Sequence, residues 1–353
     1  MRLFSFRDEL GLATAGVVVG DRVISLARLV EVGGLEEELR FLDLGGLLEA
    51  DPDLEGVRVA LERAVRAGEA SAAEPGTAKL GAAKLGAAEL GAAEPGAAKL
   101  GLRLADLRPA PAIPRPGKIV CIGLNYRDHV AEQHIELPTR PLLFAKFANT
   151  VVADGEPVIR PSGTRALDLE AELGVVIGRT ARRVSAAEAM DHVAGYVVVN
   201  DVTARDWQGN RAALAPGERG DGQWLRAKGS DTFCPMSPVL VTRDEIPDWH
   251  ALRIRSWRTP AAHPTAGPDA GANARKPVLM QDGTTADMIF DIPALIEFVS
   301  AVITLEPGDV ISTGTPSGVG VFRDPPVFLE PGDRVRCEIE GIGSVDNPIV
   351  GAD

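Results

Sequence analysis

Three acidic residues alternate with apolar residues in one short stretch of the sequence. Asp168, Glu170 and Glu172 are separated by Leu169 and Ala171, and the apolar run GVVIG follows. Side chains of a strand alternate between its two faces, so the three acids are expected to project to the same side. By itself this pattern is also typical of a half-exposed strand with a solvated acidic face.

A further acid stands at the end of another apolar run. The residues GYVVV at 195–199 lead into Asn200 and Asp201. If the two strands are neighbours, Glu170, Glu172 and Asp201 supply three carboxylates at one point. Hard oxygen ligands suit Mg²⁺, Mn²⁺ or Ca²⁺ rather than Zn²⁺, and a cation relieves the repulsion among crowded carboxylates. The sequence therefore predicts a divalent-metal site.

A possible general base lies earlier in the chain. In a helix, His129 and Glu132 lie three residues apart and can meet. A carboxylate beside an imidazole fixes its tautomer and raises its basicity, although an ordinary surface ion pair gives the same pattern. A zinc-protease motif is excluded, because His129 and His134 are five residues apart whereas that motif places its ligands four apart.

Composition limits the partners. The net charge of −13 argues against nucleic acid and against anionic membrane surfaces, and no run of about 18 apolar residues suggests a membrane span. Cys121, Cys234 and Cys337 are few, odd in number and widely spaced. They predict reduced, mostly buried thiols in a cytoplasmic protein.

The composition and residue pattern divide the chain into three parts. Residues 1–72 predict a small N-terminal α/β domain, with a hairpin at Gly20-Asp21 and helical material from about residue 34 to 70. Residues 73–101 are a low-complexity Ala/Gly/Lys/Leu linker. Its five-residue period turns leucines by about 140° around a helix, so they form no stripe. Residues 102–353 are expected to form the catalytic domain.

This third part reads as a β-rich α+β fold. Short β-branched runs bounded by Gly, Pro or Asp predict strands of a mixed β-sandwich roll or a rolled barrel. SAAEAMDHVA and DIPALIEFVSAVI predict covering helices, and the Pro-rich residues 258–277 predict a long surface loop.

Taken together, six stretches of the chain resemble the fumarylacetoacetate hydrolase superfamily. They appear in the family's order from about residue 115 to 350, and they are KIVCIGLNYRDHVAE, LDLEAELGVVIG, GYVVVNDVTARDWQ, KGSDTFCPMSP, QDGTTADMIF and EPGDVISTGTPSGVG. Two departures from the family's pattern are Ser237, where a glycine is expected, and the long loop at 258–277.

The resemblance implies roles for individual residues. Glu170, Glu172 and Asp201 match the metal ligands, His129 and Glu132 match the catalytic dyad, and Lys228 matches a lysine that stabilises negative charge. Gln208 and Thr315 match substrate-side positions. Lys146 and Arg205 are further candidates for substrate contact. For Lys146 a snorkelling surface position is the alternative. For Arg205 the alternative is a pair with Asp206 that orients Asp201.

The activity implied is metal-dependent hydrolysis of a C–C bond in a 1,3-dicarbonyl acid of the acylpyruvate type, as in aromatic catabolism. In this hypothesis His129 activates water, and the leaving carbanion is stabilised as an enolate. The same site suits oxaloacetate decarboxylation or isomerisation or dehydration of a 2-oxo acid, and a non-catalytic metal or metabolite-binding protein is the remaining alternative. The resemblance also implies a homodimer, with Mg²⁺, Mn²⁺ or Ca²⁺ as cofactor.

Overall fold

The computed structural model describes residues 1–72, 101–261 and 276–352, and for residues 68–72 it describes the backbone alone. The predicted linker, apart from Gly101, and most of the predicted loop at 258–277 lie outside the described residues. The strands are β1 Arg2–Arg7, β2 Ala13–Val19, β3 Arg22–Ser25, β4 Leu102–Arg103, β5 Arg108–Pro109, β6 Ile119–Gly123, β7 Leu142–Lys146, β8 Val151–Val152, β9 Val158–Arg160, β10 Leu167–Asp168, β11 Ala171–Ile177, β12 Val193–Asn200, β13 Thr203–Ala204, β14 Cys234–Pro235, β15 Val239–Thr242, β16 Arg253–Thr259, β17 Val278–Thr284, β18 Val310–Ser312, β19 Arg334–Ile339 and β20 Gly343–Gly351.

Among the described residues the helices are fewer than the strands and contain fewer residues in total, which confirms the β-rich α+β class. They are α1 Leu26–Gly33, α2 Leu44–Ala50, α3 Glu55–Ala72, α4 Arg127–Glu132, α5 Arg205–Gln208, α6 Trp224–Lys228 and α7 Ile292–Ser300. No helix in the described ranges combines the length and the apolar character that a membrane crossing requires.

One large mixed sheet runs through the molecule. Its strand order is β4-β3-β2-β1-β15-β12-β11-β18-β6-β7, with β5 beside β1. Strand β1 pairs antiparallel with β15, so the N-terminal hairpin extends the same sheet that carries the predicted catalytic residues. The N-terminal residues are thus joined to the rest by strand pairing, and the division of the chain into domains stays a prediction.

A second sheet, ordered β17-β16-β19-β20-β9, covers one face of the large sheet. Both sheets end in edge strands, so the described strands form open layers rather than a closed barrel. Strand β12 is buried on both faces: Tyr196 and Val198 belong to the core between the sheets, whereas Val197 and Val199 pack with the N-terminal helices. This double burial explains the unbroken apolar run before Asp201.

Several local predictions are confirmed. Val19 pairs with Arg22 across the Gly20-Asp21 turn, and α7 begins after Asp291, whose carboxylate accepts a hydrogen bond from the Ala294 N–H. The helix predicted for residues 185–194 is wrong. A 3₁₀ turn at Ala189–His192 leads directly into β12, because pairing with β11 and burial outweigh local helix propensity.

The cysteine prediction holds for burial and pairing. All three thiols are buried and free. Burial raises the pKa of Cys234 to about 12, so this thiol stays protonated and unreactive.

We predict that Gly195→Ala destabilises the protein, because a Cβ at this position would lie 2.2 Å from the Val241 carbonyl oxygen. Overpacking of this kind costs about 1–3 kcal/mol, measured as a lower urea midpoint with an unchanged slope. Gly45→Ala in α2 is the control. Its Cβ would lie 3.3 Å from Asp43 Oδ1 and 3.9 Å from Ile113 Cγ2, with no backbone atom in the way. Alanine favours the helix, so stability should hold or rise. Equal stability of both variants would contradict the packing described for β12.

Candidate metal and substrate site

The pairing of β11 with β12 brings the predicted metal ligands together. Ala171 lies opposite Asn200 and Glu172 opposite Val199, and the Asp201 N–H donates to the Glu170 carbonyl at 2.9 Å. Glu170 and Asp201 are therefore direct neighbours across the strands. Because side chains alternate, Glu172 projects from the same face two residues further on.

The three carboxylates form one buried cluster. Each offers an oxygen, and these oxygens all lie within 4.8 Å of one another. Glu170, Glu172 and Asp201 are exposed by 4%, 2% and 0%, so the solvated-face alternative does not describe them. A compact set of buried carboxylate oxygens is the donor set that hard divalent cations such as Mg²⁺, Mn²⁺ and Ca²⁺ take.

Two buried cations of the cavity wall contact the cluster directly. The Lys228 ammonium lies 2.5 Å from Glu170 Oε2 and 2.7 Å from Asp201 Oδ2. Arg205 Nη2 lies 2.6 Å from Glu170 Oε1. Glu172 has no such ion pair among the described residues. Its Oε2 accepts from the Ser312 hydroxyl at 2.5 Å and from the Gly314 N–H at 3.1 Å.

This asymmetry separates the pKa values of the carboxylates. Burial opposes ionisation of Glu170, but Arg205 and Lys228 outweigh it and hold its pKa well below the usual range. Burial, with the negative charges of Asp201 and Glu170, raises the pKa of Glu172 well above its ordinary value. Without a cation beside it, ionised Glu172 is electrostatically unfavourable. A divalent ion at this point would offset the repulsion and the cost of desolvation. The residues present therefore fit a divalent cation.

The Lys228 ammonium is held in its charged form. Burial lowers the pKa of this group, but the charges of Asp201 and Glu170 outweigh burial and raise it above the ordinary value. The side chain lies in α6 and lines a cavity of about 300 Å³ together with Glu170 and Glu172. It thus places a permanent positive charge on the cavity wall.

The predicted dyad is formed. On α4, His129 Nδ1 lies 2.6 Å from Glu132 Oε1, and the Gly318 N–H donates to Glu132 Oε2 at 2.9 Å. His129 is 5% exposed and lines the same cavity as the acidic cluster. An Nδ1–H donated to Glu132 leaves Nε2 as the basic nitrogen. The surface-pair alternative therefore does not fit.

The four residues predicted to contact the substrate do not all reach the cavity. Gln208, Arg205 and Thr315 line the cavity. The Thr315 hydroxyl donates to the Ala171 carbonyl at 2.9 Å and accepts from Gln281 Nε2 at 2.7 Å, which ties this residue to the start of β11.

Lys146 requires a correction. Its ammonium is 1% exposed and is not part of the cavity wall. It donates to the carbonyls of Val202, Lys228 and Phe233 at 3.1, 2.6 and 2.7 Å, and it lies 2.7 Å from Asp201 Oδ1. All hydrogen-bond donors of Lys146 are used inside the protein, where the side chain pairs with Asp201. Lys146 is therefore neither a substrate contact nor a snorkelling surface lysine.

Arg205 also differs from expectation. Its Nε donates to Asp168 Oδ2 at 2.9 Å, while Asp206 accepts from the Thr164 hydroxyl at 2.6 Å and the Arg165 N–H. The predicted pair between Arg205 and Asp206 is wrong. Arg205, the first residue of α5, instead bridges Asp168 and Glu170, so it orients a carboxylate of the acidic cluster.

Sequence reasoning did not assign roles to Asp168, Asn125 or Gln281. Asp168 accepts from the N–H groups of Gly320 and Val321 at 2.8 and 3.1 Å as well as from Arg205. Gln281 accepts from the Ala171 N–H at 3.0 Å, and Asn125 donates to the Thr313 carbonyl at 2.8 Å. These residues brace the site through backbone groups, and such contacts leave no spacing signal in a sequence.

The departure at Ser237 is accommodated away from the cavity. Its hydroxyl accepts from the Val198 N–H at 3.0 Å, and its own N–H donates to the Val198 carbonyl at 2.9 Å. The serine therefore extends the pairing of β12 and leaves the cluster intact.

Comparison with known proteins decides the family. The model of the fumarylacetoacetate (FAA) hydrolase C-terminal family matches residues 118–350, which include every residue of the cluster and the dyad. The chain belongs to the fumarylacetoacetate hydrolase family. As members of this family are enzymes acting on small molecules, the cavity beside the cluster is the expected place of their chemistry.

The proteins similar to this chain include oxaloacetate tautomerases. A mitochondrial oxaloacetate tautomerase of Xenopus laevis is 45% identical over 67% of each chain. The human oxaloacetate tautomerase FAHD2A, also mitochondrial, is 44% identical over 67% of this chain and 68% of its own. The cytoplasmic location and the homodimer stay predictions for this chain.

Solved structures agree with the fold. A fumarylacetoacetate hydrolase from Exiguobacterium antarcticum is 28% identical, covers 100% of both chains and has a TM-score of 0.69. A 2-hydroxyhepta-2,4-diene-1,7-dioate isomerase from Mycobacterium marinum is 38% identical over 71% of this chain and 80% of its own, with a TM-score of 0.56.

We predict that Glu172→Gln stabilises the metal-free protein and removes its response to metal. The neutral amide relieves repulsion on the order of 1 kcal/mol and still accepts from Ser312 and Gly314. The measurement is thermal unfolding in EDTA and in excess Mg²⁺ or Mn²⁺. Wild type should gain stability with metal, whereas the variant should start higher and gain little. A variant that is less stable in EDTA and still responds fully to metal would contradict the assignment of Glu172.

Proposed function

We propose that this protein is a divalent-metal-dependent enzyme that interconverts the keto and enol forms of a small 2-oxo acid, with oxaloacetate as the first candidate. The observation that carries the proposal is the buried cluster of Glu170, Glu172 and Asp201. Glu170 and Glu172 line the same cavity as His129. The oxaloacetate tautomerases related to this chain support that choice of substrate. The resemblance of the sequence motifs implied C–C bond hydrolysis as the main activity, and keto–enol interconversion now takes its place.

In the proposal Glu170, Glu172 and Asp201 hold the metal. When bound, the ion supplies Lewis acidity that polarises the 2-oxo group and makes the neighbouring C–H more acidic. The protein surrounds the three acids with fixed positive groups, Lys228 and Arg205 on the cavity side and Lys146 beneath. Asp168 also pairs with Arg205, so four carboxylates face three cations and the formal charge of the group is −1. A bound divalent ion would bring this charge to +1, which favours an anionic substrate.

His129 is the proposed base. Its Nε2 takes the proton from C3 of the substrate, and the C–H electron pair becomes the C2–C3 double bond as charge moves onto the 2-oxo oxygen. Return of the proton to that oxygen completes the enol, and the reverse sequence gives the keto form. Glu132 keeps the ring oriented and stabilises the imidazolium that forms between the two steps.

Lys228 is proposed to stabilise the negative charge that develops on the substrate. Its ammonium is already desolvated, charged and fixed by Glu170 and Asp201, so little reorganisation is needed during the reaction. Electrostatic groups that are positioned in advance in a buried site make large contributions to rate. The cavity of about 300 Å³ is at the lower end of the range for ligand sites and suits a small acid.

Hydrolysis of an acylpyruvate is the second candidate. The same dyad favours it, because a histidine oriented by a carboxylate can also take a proton from water. Decarboxylation of oxaloacetate would need no attacking water and shares the enolate. A passive metal-binding protein is the third possibility, but a buried histidine–carboxylate pair facing the cavity gives such a protein no advantage.

Product analysis distinguishes these functions. Purified protein would be given oxaloacetate, acetylpyruvate and fumarylpyruvate, each with Mg²⁺ and with EDTA. Faster keto–enol conversion of oxaloacetate, followed by ultraviolet absorbance, supports the tautomerase. Pyruvate with the matching acid from an acylpyruvate identifies a hydrolase instead, and pyruvate with CO₂ from oxaloacetate identifies a decarboxylase. Inactivity on all three would overturn the proposal.

We predict that His129→Asn lowers kcat for the preferred substrate by about 10²- to 10⁴-fold, the usual contribution of a general base, because no group of similar basicity replaces Nε2. Metal binding should persist, since His129 is not among the three acids, and the rise in melting temperature with Mg²⁺ measures it. The matched control is His250→Asn, at an exposed histidine remote in sequence, which should retain wild-type kcat. Full activity of His129→Asn would exclude this residue as the base.

A further inference from the structure

Two side-chain amides lie on one stretch of the cavity wall, at the C-terminal end of α5. They are Gln208 and Asn210, separated by Gly209, and all three residues line the cavity. The nearby cations are already engaged, since Lys228 and Arg205 contact acidic residues at 2.5–2.9 Å. Uncommitted hydrogen-bond donors on this wall must therefore come from other groups.

Asn210 has its orientation fixed by the backbone. Its Oδ1 accepts from the Ala212 N–H at 3.1 Å. An N–H donor can bond only to the carbonyl oxygen of the amide, so the NH₂ group is the free end. Among the residues that the structure describes, none accepts a hydrogen bond from this NH₂.

Gln208 is oriented in the same way by a different donor. Arg205 Nη1 donates to its Oε1 at 3.2 Å, and Nη2 of the same guanidinium contacts Glu170. The Gln208 NH₂ likewise has no acceptor in the described part of the chain. Its amide is thus one guanidinium group away from a proposed metal ligand, with the donor end uncommitted.

The backbone between the amides is fixed by close glycine packing. Gly209 ends α5 with φ of +86°, and a Cβ at Gly220 would lie 2.5 Å from the Gly209 Cα. The Asn210 N–H also donates to the Arg205 carbonyl at 3.0 Å. Both amides are therefore placed before a substrate arrives, which lowers the entropic cost of binding.

We propose that Asn210, together with Gln208, forms a donor pair that recognises an acceptor group at the far end of the substrate. The class of substrate is a dicarboxylic 2-oxo acid, whose 2-oxo acid end lies at the acidic cluster and whose second carboxylate accepts from the two amides. The inference rests on the proposed function and adds specificity to it. Neutral donors recognise this carboxylate without competing with Glu170 or Asp201 for a cation.

The test exchanges donor amides for acceptor carboxylates of the same shape. Asn210→Asp keeps the oxygen that accepts from Ala212, and Gln208→Glu keeps the oxygen that accepts from Arg205, so the local fold is preserved. Gln223→Glu is the matched control. It adds the same charge to the same segment at an exposed residue outside the cavity lining.

The readout is deuterium exchange at C3, followed by NMR in D₂O with Mg²⁺, for oxaloacetate and for the monocarboxylic 2-oxobutanoate. We expect the ratio of kcat/KM for oxaloacetate over 2-oxobutanoate to fall by about 10- to 100-fold in Asn210→Asp and Gln208→Glu, the range for a lost hydrogen bond to a charged group. The ratio should hold in Gln223→Glu.

Failure has three distinguishable forms. If wild type exchanges oxaloacetate but the ratio is unchanged in Asn210→Asp, the donor pair is wrong and the proposed function stands. If wild type exchanges neither acid, the proposed function fails and this inference falls with it. A ratio that falls equally in Gln223→Glu would assign the effect to net charge and overturn the role of Asn210.

Discussion

Burying three carboxylates within 4.8 Å of one another is the constraint on which this structure depends. Desolvated like charges are costly unless opposite charges lie close to them. The protein meets the cost unevenly, since Glu170 and Asp201 have direct ion-pair partners whereas Glu172 has hydrogen bonds only. Burial and the charges of Asp201 and Glu170 raise the pKa of Glu172, and a divalent cation beside it would offset both.

The fold explains why the cluster is rigid. The three carboxylates lie where the end of β12 meets the start of β11, and both strands are buried on both faces. A one-residue slip in their pairing would turn the acids to the opposite face and expose the core. From the other side, Asp168, Gln281 and Asn125 fasten the loops around residues 313–321 to the strand ends. The Gly318 N–H holds Glu132 of the dyad to the same loop region. The dyad and the acidic cluster are therefore positioned by the same part of the fold.

Much of this site was predictable because its residues carry local signals. Alternating acids, an acid after an apolar run and a histidine three residues before a glutamate each follow from secondary-structure periodicity, and the family motifs added their order. The buried position of Lys146 and the ion-pair partners of Arg205 were not predicted, for a physical reason. Their partners lie far away in sequence, on carbonyls of Val202 and Phe233 and on Asp168, and only the packed structure determines which polar groups face each other.

The same distinction applies to the fold. Runs such as those of β6, β11 and β12 were predicted because β-branched residues bounded by turns are strong local signals. The short helix predicted at 185–194 failed because strand pairing outweighed propensity. The continuation of the N-terminal strands into the large sheet, through β1 and β15, depends on residues more than 200 positions apart, which no local pattern reports.

The central claim is that Glu170, Glu172 and Asp201 hold one divalent cation. Calorimetric titration of EDTA-treated protein with Mn²⁺ tests it most directly, with wild type compared to Asp201→Asn, in which one ligand charge is removed and the shape is kept. The account predicts one ion per chain for wild type and a loss of most of that affinity in the variant. Absence of binding to wild type, or equal affinity in both proteins, would contradict it.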